Sequence, residues 1–266
     1  MGNFLNSHDE DTLQYKLVNE SKFSEEEAYN LMKVAATLQI TAKGQPVIYY
    51  GDELGQAGAN DWPNQTNRRD FDWKELEAQK ADNNSIYKHY KTMLSIRNAY
   101  TDVFARGSRT VVAGSDEEGY DVVSRSYGGT TLYVGMNIKD TAKEVKVPVS
   151  LAAGTEVKDL YSGATYTVGS DKTVAVTIPA AKDGGTVILT EVKKTKDPGK
   201  TDPTPEKVSA TSITLDKKTA GKQQNDTKKA APKSGDDNEA ATYVCLLGLA
   251  MVAITAATYR KKRACN

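Results

Sequence analysis

Near residue 100 the spacing of apolar residues changes period, and this break constrains the fold more than any other feature of the chain. Before it, apolar residues recur at steps of three and four or in short blocks; after it they alternate in the runs "RTVVAG", "YDVVSRSY", "TTLYVGMNI", "KEVKVPV", "TYTVG", "TVAVTIP" and "GTVILTEV". Turn formers such as "SDEEG", "YGG", "NIKDT" and "KDGG" separate these runs, at intervals that suit an antiparallel sandwich. The expectation is an all-β domain over residues 101–192, with Val111, Val112, Leu132, Val134, Val187 and Ile188 in its core. Some ninety residues in two packed sheets can enclose a core of their own.

The first hundred residues read as α/β. In "SEEEAYNLMKVAATLQITAKG", Ser24 is an N-cap with Glu27 three residues on, Leu31, Val34, Ala35 and Leu38 form an apolar face, and Gly44 ends the helix. "QPVIYYG", between Pro46 and Gly51, reads as a strand buried on both faces of a parallel sheet. "NNSIYKHYKTMLSIRNAY" places Ile86, Tyr90, Met93, Leu94 and Arg97 on one side of a second helix. With "NFL" as an earlier strand, the order is strand, helix, strand, helix, as in a parallel unit with helical crossovers. The predicted fold class is therefore α/β plus all-β.

Composition narrows the function. Lys plus Arg number 35 and Asp plus Glu number 35, a balance that speaks against nucleic acid as a partner. Cys245 and Cys265 support neither a disulfide framework nor a thiolate metal site. Residues 193–240 are rich in Lys, Asp, Thr and Pro and too poor in large apolar side chains to form a core, so they read as a disordered wall-spanning linker. Residues 241–259, "ATYVCLLGLAMVAITAATY", carry no charge and are long enough to cross the membrane as one helix. "RKKR" follows at once, so residues 260–266 read as a basic cytoplasmic tail and everything before the span as extracellular.

Two segments carry candidate chemistry. His8, Asp9, Glu10 and Asp11 follow "NFL", and Asp52 and Glu53 follow "VIYYG"; the C-terminal ends of parallel strands are where such folds place functional groups. An imidazole beside a carboxylate, with Tyr49, Tyr50 and Trp62 to follow, suits a sugar site: charged groups for hydroxyls and rings for the apolar faces of sugars. The bland alternative is that these acids cap helices or lie in solvent.

The same residues carry a resemblance. "FLNSHD" resembles the F-x-x-x-HD string that ends the seventh barrel strand in family 13 glycoside hydrolases, the α-amylase superfamily, and "GQPVIYYGDE" is similar to that family's eighth-strand signature. "NRRDFDW", from Asn67 to Trp73, resembles the segment after that strand. The resemblance implies that residues 1–100 are the last two strand-helix units, strands 7 and 8, of a (β/α)8 TIM barrel, followed by a C-terminal β-sandwich over 101–192. It implies that Asp9 is the third catalytic carboxylate, the transition-state stabiliser, and that His8 hydrogen-bonds the substrate, an α-glucan such as starch or pullulan; Tyr50, Trp62 and Arg68 are the further candidates for binding it.

It also implies what these segments do not supply. Retaining hydrolysis needs a nucleophile and an acid/base carboxyl across the scissile bond. The family takes both from its fourth and fifth strands, and Asp11, Asp52 and Glu53 do not match those motifs. Met1 then reads as an interior residue of a longer enzyme, the chain alone is expected to be inactive, and residues 1–100 alone, with open strand edges, are expected to be poorly stable. The alternative is a non-catalytic module that binds α-glucan or acts as a spacer. No cofactor is expected; calcium is common in the family, but no site is placeable. Ahead of the apolar span, Ala231, Pro232, Lys233, Ser234 and Gly235 resemble the LPxTG-type sorting signal of Gram-positive surface proteins. This implies sortase as a partner, cleavage between Ser234 and Gly235, and attachment to cell-wall peptidoglycan.

Overall fold

The capping box at Ser24 forms as its sequence dictates. The Ser24 hydroxyl accepts the Glu27 N–H at 3.2 Å and the Glu27 carboxylate accepts the Ser24 N–H at 2.8 Å, satisfying two donors that a helix start leaves free. A computed structural model describes residues 2–192, so the linker, the sorting motif at 231–235 and the span at 241–259 lie outside the described residues. Among those described, no helix is long and apolar enough to cross a membrane.

In chain order the first elements are β1 (Gly2–Asn3), α1 (Leu13–Asn19), α2 (Glu25–Thr41), β2 (Gln45–Pro46), α3 (Trp73–Ala81), α4 (Ile86–Ala99) and α5 (Thr101–Arg106). The sheet strands follow: β3 (Ser108–Ser115), β4 (Tyr120–Tyr127), β5 (Thr130–Asn137), β6 (Lys143–Pro148), β7 (Glu156–Asp159), β8 (Thr165–Thr167), β9 (Thr173–Ile178) and β10 (Thr186–Glu191). Strands β1 and β2 pair in parallel. A six-stranded antiparallel sheet runs β3-β4-β5-β10-β7-β8, and β6 pairs with β9 in a second, two-stranded one.

The large sheet is covered on both faces. On one side Val122, Tyr133, Val187 and Leu189 pack against Val145, Val147, Val174 and Val176 of the small sheet. On the other Val123, Leu132, Val134 and Ile188 pack against Met32, Ile40, Tyr90, Met93 and Phe104 of the helices. Adjacent residues point to opposite faces of a strand, so "VV" in β4, "LYV" in β5 and "VIL" in β10 are apolar at consecutive positions because both faces are buried. Residues 2–100 thus share a core with the sheet, and residues 2–192 fall within one compact unit.

Four expectations need correction. Val111 is 54% exposed rather than in the core: the pairing of β3 with β4 slips between Val111 and Ala113, and such a bulge turns the residues before it to the other face. Helix α2 buries Val34 as expected, but with it Ala28, Met32, Ala36 and Ile40 rather than Leu31, Ala35 and Leu38, which stay partly exposed. A second buried row, Lys33, Thr37 and Thr41, is polar, so the apolar pattern understates how much of the helix is covered. "QPVIYYG" yields only the two strand residues of β2, extended by one bond from the Val47 N–H to the Asn3 carbonyl at 2.7 Å. It is not buried on both faces: Val47 is 47% and Tyr50 44% exposed, because β1 and β2 pair with each other and with no further strand among the described residues.

Arg97 has a role its place in the apolar face did not suggest. Its guanidinium donates to the carbonyls of Ile40 at 2.5 Å, Ala42 at 2.8 Å and Gly44, supplying donors where α2 ends and its last carbonyls lack partners. This fixes the approach to β2, and with it the loop that follows.

Candidate active-site loops

The loops after β1 and β2 are tied together by one buried pair. The Asn6 amide donates to Asp52 Oδ1 at 2.5 Å, Asp52 Oδ2 accepts the Tyr49 N–H at 3.2 Å, and Asn6 Oδ1 accepts the Leu13 N–H at 2.6 Å. Asp52 is only 2% exposed. Burial pushes its carboxyl up to about 6, against the opposing pull of the Asn6 and Tyr49 donors. Asp52 therefore acts as a brace between loops, not as a group presented to a ligand.

A third segment clamps the backbone of residues 8–11. The Asn67 amide donates to the carbonyls of His8 at 3.0 Å and Glu10 at 2.9 Å, and Arg68 Nε donates to the His8 carbonyl at 2.9 Å. The Asn60 amide donates to the Asp9 carbonyl at 2.7 Å, and the Asn60 N–H to Asp11 Oδ1 at 2.5 Å. Gly58 brings this segment close: its N–H donates to Thr12 Oγ1 at 2.9 Å, and a Cβ there would stand 2.4 Å from the Thr66 carbonyl oxygen.

With the backbone held from behind, the side chains of His8 and Asp9 point outward, 60% and 70% exposed. Asp9 Oδ1 stands 3.2 Å from His8 Nε2 and 3.6 Å from the Arg68 guanidinium. A carboxylate flanked by an imidazole and a cation can accept hydroxyl hydrogen bonds and oppose a developing positive centre, while its neighbours fix its orientation. The Tyr50 hydroxyl donates to the Arg69 carbonyl at 3.1 Å, which ties its ring to the same segment. Trp62 is 83% exposed and makes no ring contact with another aromatic among the described residues.

The structure thus brings His8, Asp9 and Arg68 into direct contact, links Tyr50 to them through the backbone, and leaves Trp62 in solvent on the segment that Asn60 anchors. Glu10 pairs with Lys16 at 3.1 Å and Asp11 caps the Asn60 N–H, as the bland reading of such acids supposes. Asn6, Asn60 and Asn67 escaped the sequence reading. Asn6 lies within "FLNSHD" and Asn67 heads "NRRDFDW", but neither motif marks a bracing role, and nothing marks Asn60. Among the described residues no three His, Cys, Asp or Glu side chains form a set that could hold a metal ion.

These loops fall inside a family match: the Alpha amylase, catalytic domain family matches residues 1–74. The chain is 31% identical over 195 residues to an amylopullulanase of Thermoanaerobacter thermohydrosulfuricus, covering 65% of this chain and 12% of that protein. It is 30% identical over 148 residues to a cyclomaltodextrinase of Geobacillus thermopakistaniensis, covering 56% of this chain and 24% of that one. The fold is similar to that of an α-amylase from Geobacillus thermoleovorans solved with acarbose, with a TM-score of 0.59 at 23% identity over 73% of this chain and 39% of that one. The chain spans less than a quarter of the length of these two curated relatives. Residues 1–74 are therefore similar to alpha-amylase catalytic domains, and the homologues of the chain are glycoside hydrolases of the α-amylase type.

Proposed function

We propose that residues 1–192 supply the transition-state-stabilising corner of a retaining α-glucan hydrolase, with residues 1–100 as the last two strand-helix units of its (β/α)8 barrel and 101–192 as its β-sandwich. The observation that carries this reading is the convergence of His8 Nε2 and the Arg68 guanidinium on one oxygen of an outward-facing Asp9, within the segment that matches the catalytic-domain family. Asp9 holds sugar hydroxyls and steadies an oxocarbenium-like centre, His8 donates to a hydroxyl beside it, and Arg68 holds the orientation of the carboxylate. Tyr50 and Trp62 offer rings to the apolar faces of the sugar.

The nucleophile and the acid/base carboxyl are assigned to barrel strands other than these two, so the chain by itself is expected not to hydrolyse starch. Release of reducing sugar from starch by the purified chain tests this directly, and measurable release would overturn it. The high exposure of Trp62 favours a second reading, a non-catalytic module that binds α-glucan. Electrophoresis in amylopectin gels tests it: α-glucan binding requires retardation of the wild type that Trp62→Ala reduces, and no retardation would remove the binding reading. The resemblance at Ala231, Pro232, Lys233, Ser234 and Gly235 supports sortase-mediated attachment to peptidoglycan at a Gram-positive surface, after retention through 241–259. Mass spectrometry of wall-released protein would show a carboxyl terminus at Ser234.

A further inference from the structure

We propose that the pocket between α2, α4 and the turn after β7 binds a small inorganic anion of halide size. Its floor is Lys33, only 1% exposed. The Lys33 ammonium has three N–H groups but among the described residues meets only two acceptors, both neutral: Asn84 Oδ1 at 3.2 Å and the Lys182 carbonyl at 2.8 Å. The ring of Tyr29 lies 5.7 Å away. No carboxylate stands within ion-pair distance of Lys33 among the described residues: Asp82 and Asp183 act on it from farther off, and the carboxylate of Asp183 lies 3.3 Å from Lys182.

The walls sharpen the choice of ligand. Lys88 lines the same pocket and has no ion pair among the described residues, Asn83 and Thr92 add polar side chains, and no Asp or Glu contributes to the lining. Two ammonium groups without a carboxylate rule out a cation as occupant. The cavity measures about 50 Å³, room for one or two water-sized particles and not for a sugar ring. A buried charge that meets only neutral acceptors is destabilising unless a counter-charge accompanies it; a halide beside Lys33 provides one. Because Lys33 lies on α2, Lys88 and Thr92 on α4, and Tyr161 in the turn after β7, the bound anion fastens the helices to the sheet.

The test is thermal unfolding of the full chain in sodium bromide against sodium gluconate at equal ionic strength and pH, since gluconate is too large to enter. Binding of the native state alone raises the midpoint, here by about 3 °C at ten times the dissociation constant, and Lys33→Met abolishes the rise. Lys88→Gln, at a less buried position whose loss leaves the fold intact, reduces it several-fold. Anomalous scattering from a bromide-soaked crystal places the ion beside Lys33 Nζ. Equal midpoints in the two salts, an undiminished bromide response in Lys88→Gln, or a pocket that holds water alone would overturn the proposal.

Discussion

Two buried titratable groups, Asp52 beneath the exposed loops and His89 at the junction of helices and sheet, respond to pH in opposite directions. Asp52 is a carboxylate shut between loops, pushed up to about 6 by burial. His89 is an imidazole only 2% exposed, with Nε2 2.9 Å from Thr37 Oγ1 and Nδ1 2.7 Å from the Tyr161 hydroxyl. Burial first, and the Lys33 charge second, lower it to about 3. The folded state thus favours the protonated form of Asp52 and the deprotonated form of His89. The loop end keeps a polar brace at some expense of stability at neutral pH, whereas the junction is fully stable only while its histidine is neutral.

The junction gives the largest expected effect. His89 is depressed in the folded state, so its contribution is complete above the unfolded value of about 6.5 and is lost as pH falls toward 3. Over that interval the loss amounts to ~4–5 kcal/mol at 1.36 kcal/mol per pKa unit. Urea unfolding of wild type and His89→Gln at a series of pH values checks it: the variant should have a shallower slope below pH 6.5. Parallel slopes would place the acid sensitivity elsewhere.

Next in size is the shared core. Ile188 is fully buried where β10 meets the helices, so Ile188→Ala should lower stability by about 2–4 kcal/mol through the cavity it leaves. Because helices and sheet share this core, circular dichroism of helix and near-ultraviolet aromatic signals should shift to the same new midpoint. Separate midpoints would show that the junction does not couple the two layers.

Much of this architecture was legible in the sequence, and the lapses have physical causes. The alternating runs after residue 100 announced the antiparallel strands, and the Ser24 and Glu27 pair announced the start of α2. The covering of the large sheet on both faces was present in "VILT" and "TLYVG" but was read as one core, because apolar runs do not say what lies on their second face. Val111 was misplaced because a bulge shifts register without any mark in composition. At the candidate site, His8, Asp9, Tyr50 and Arg68 could be picked out because they fall on family motifs. The bracing roles of Asn6, Asn60 and Asn67 could not be read, even though two of them lie on motifs: an amide that braces a loop from forty or more residues away has no local period to reveal it. His89 carries no mark in the sequence either, since its partners Thr37 and Tyr161 are distant along the chain.

The loop end should yield smaller effects of opposite sign. Asp52 is raised in the folded state, so its contribution is complete below the unfolded value of 3.8 and is lost as pH rises through about 6. Asp52→Asn removes this dependence. It keeps an oxygen for the Asn6 donor but sets an N–H against the Tyr49 N–H, a mismatch of roughly 1–3 kcal/mol that offsets most of the gain at neutral pH. The expected result is a stability near wild type at pH 7 and a flattened profile between pH 4 and 6 in the same urea series; an unchanged profile would mean that Asp52 stays ionised there.

Smallest of all is the outward pair. Asp9 and Arg68 are both largely exposed and stand 3.6 Å apart, and solvent-screened pairs of this kind contribute between 0 and about 1 kcal/mol. Arg68→Met should therefore leave the urea midpoint almost unmoved. Its consequence belongs to ligand binding, because Arg68 orients Asp9 and donates through Nε to the His8 carbonyl. Retardation in an amylopectin gel should fall in Arg68→Met and remain in Arg106→Met, whose guanidinium lies by Tyr127 and Asp102, residues not among those that build the loop site. A variant that loses stability and keeps retardation would reverse the contrast, making the outward charges structural.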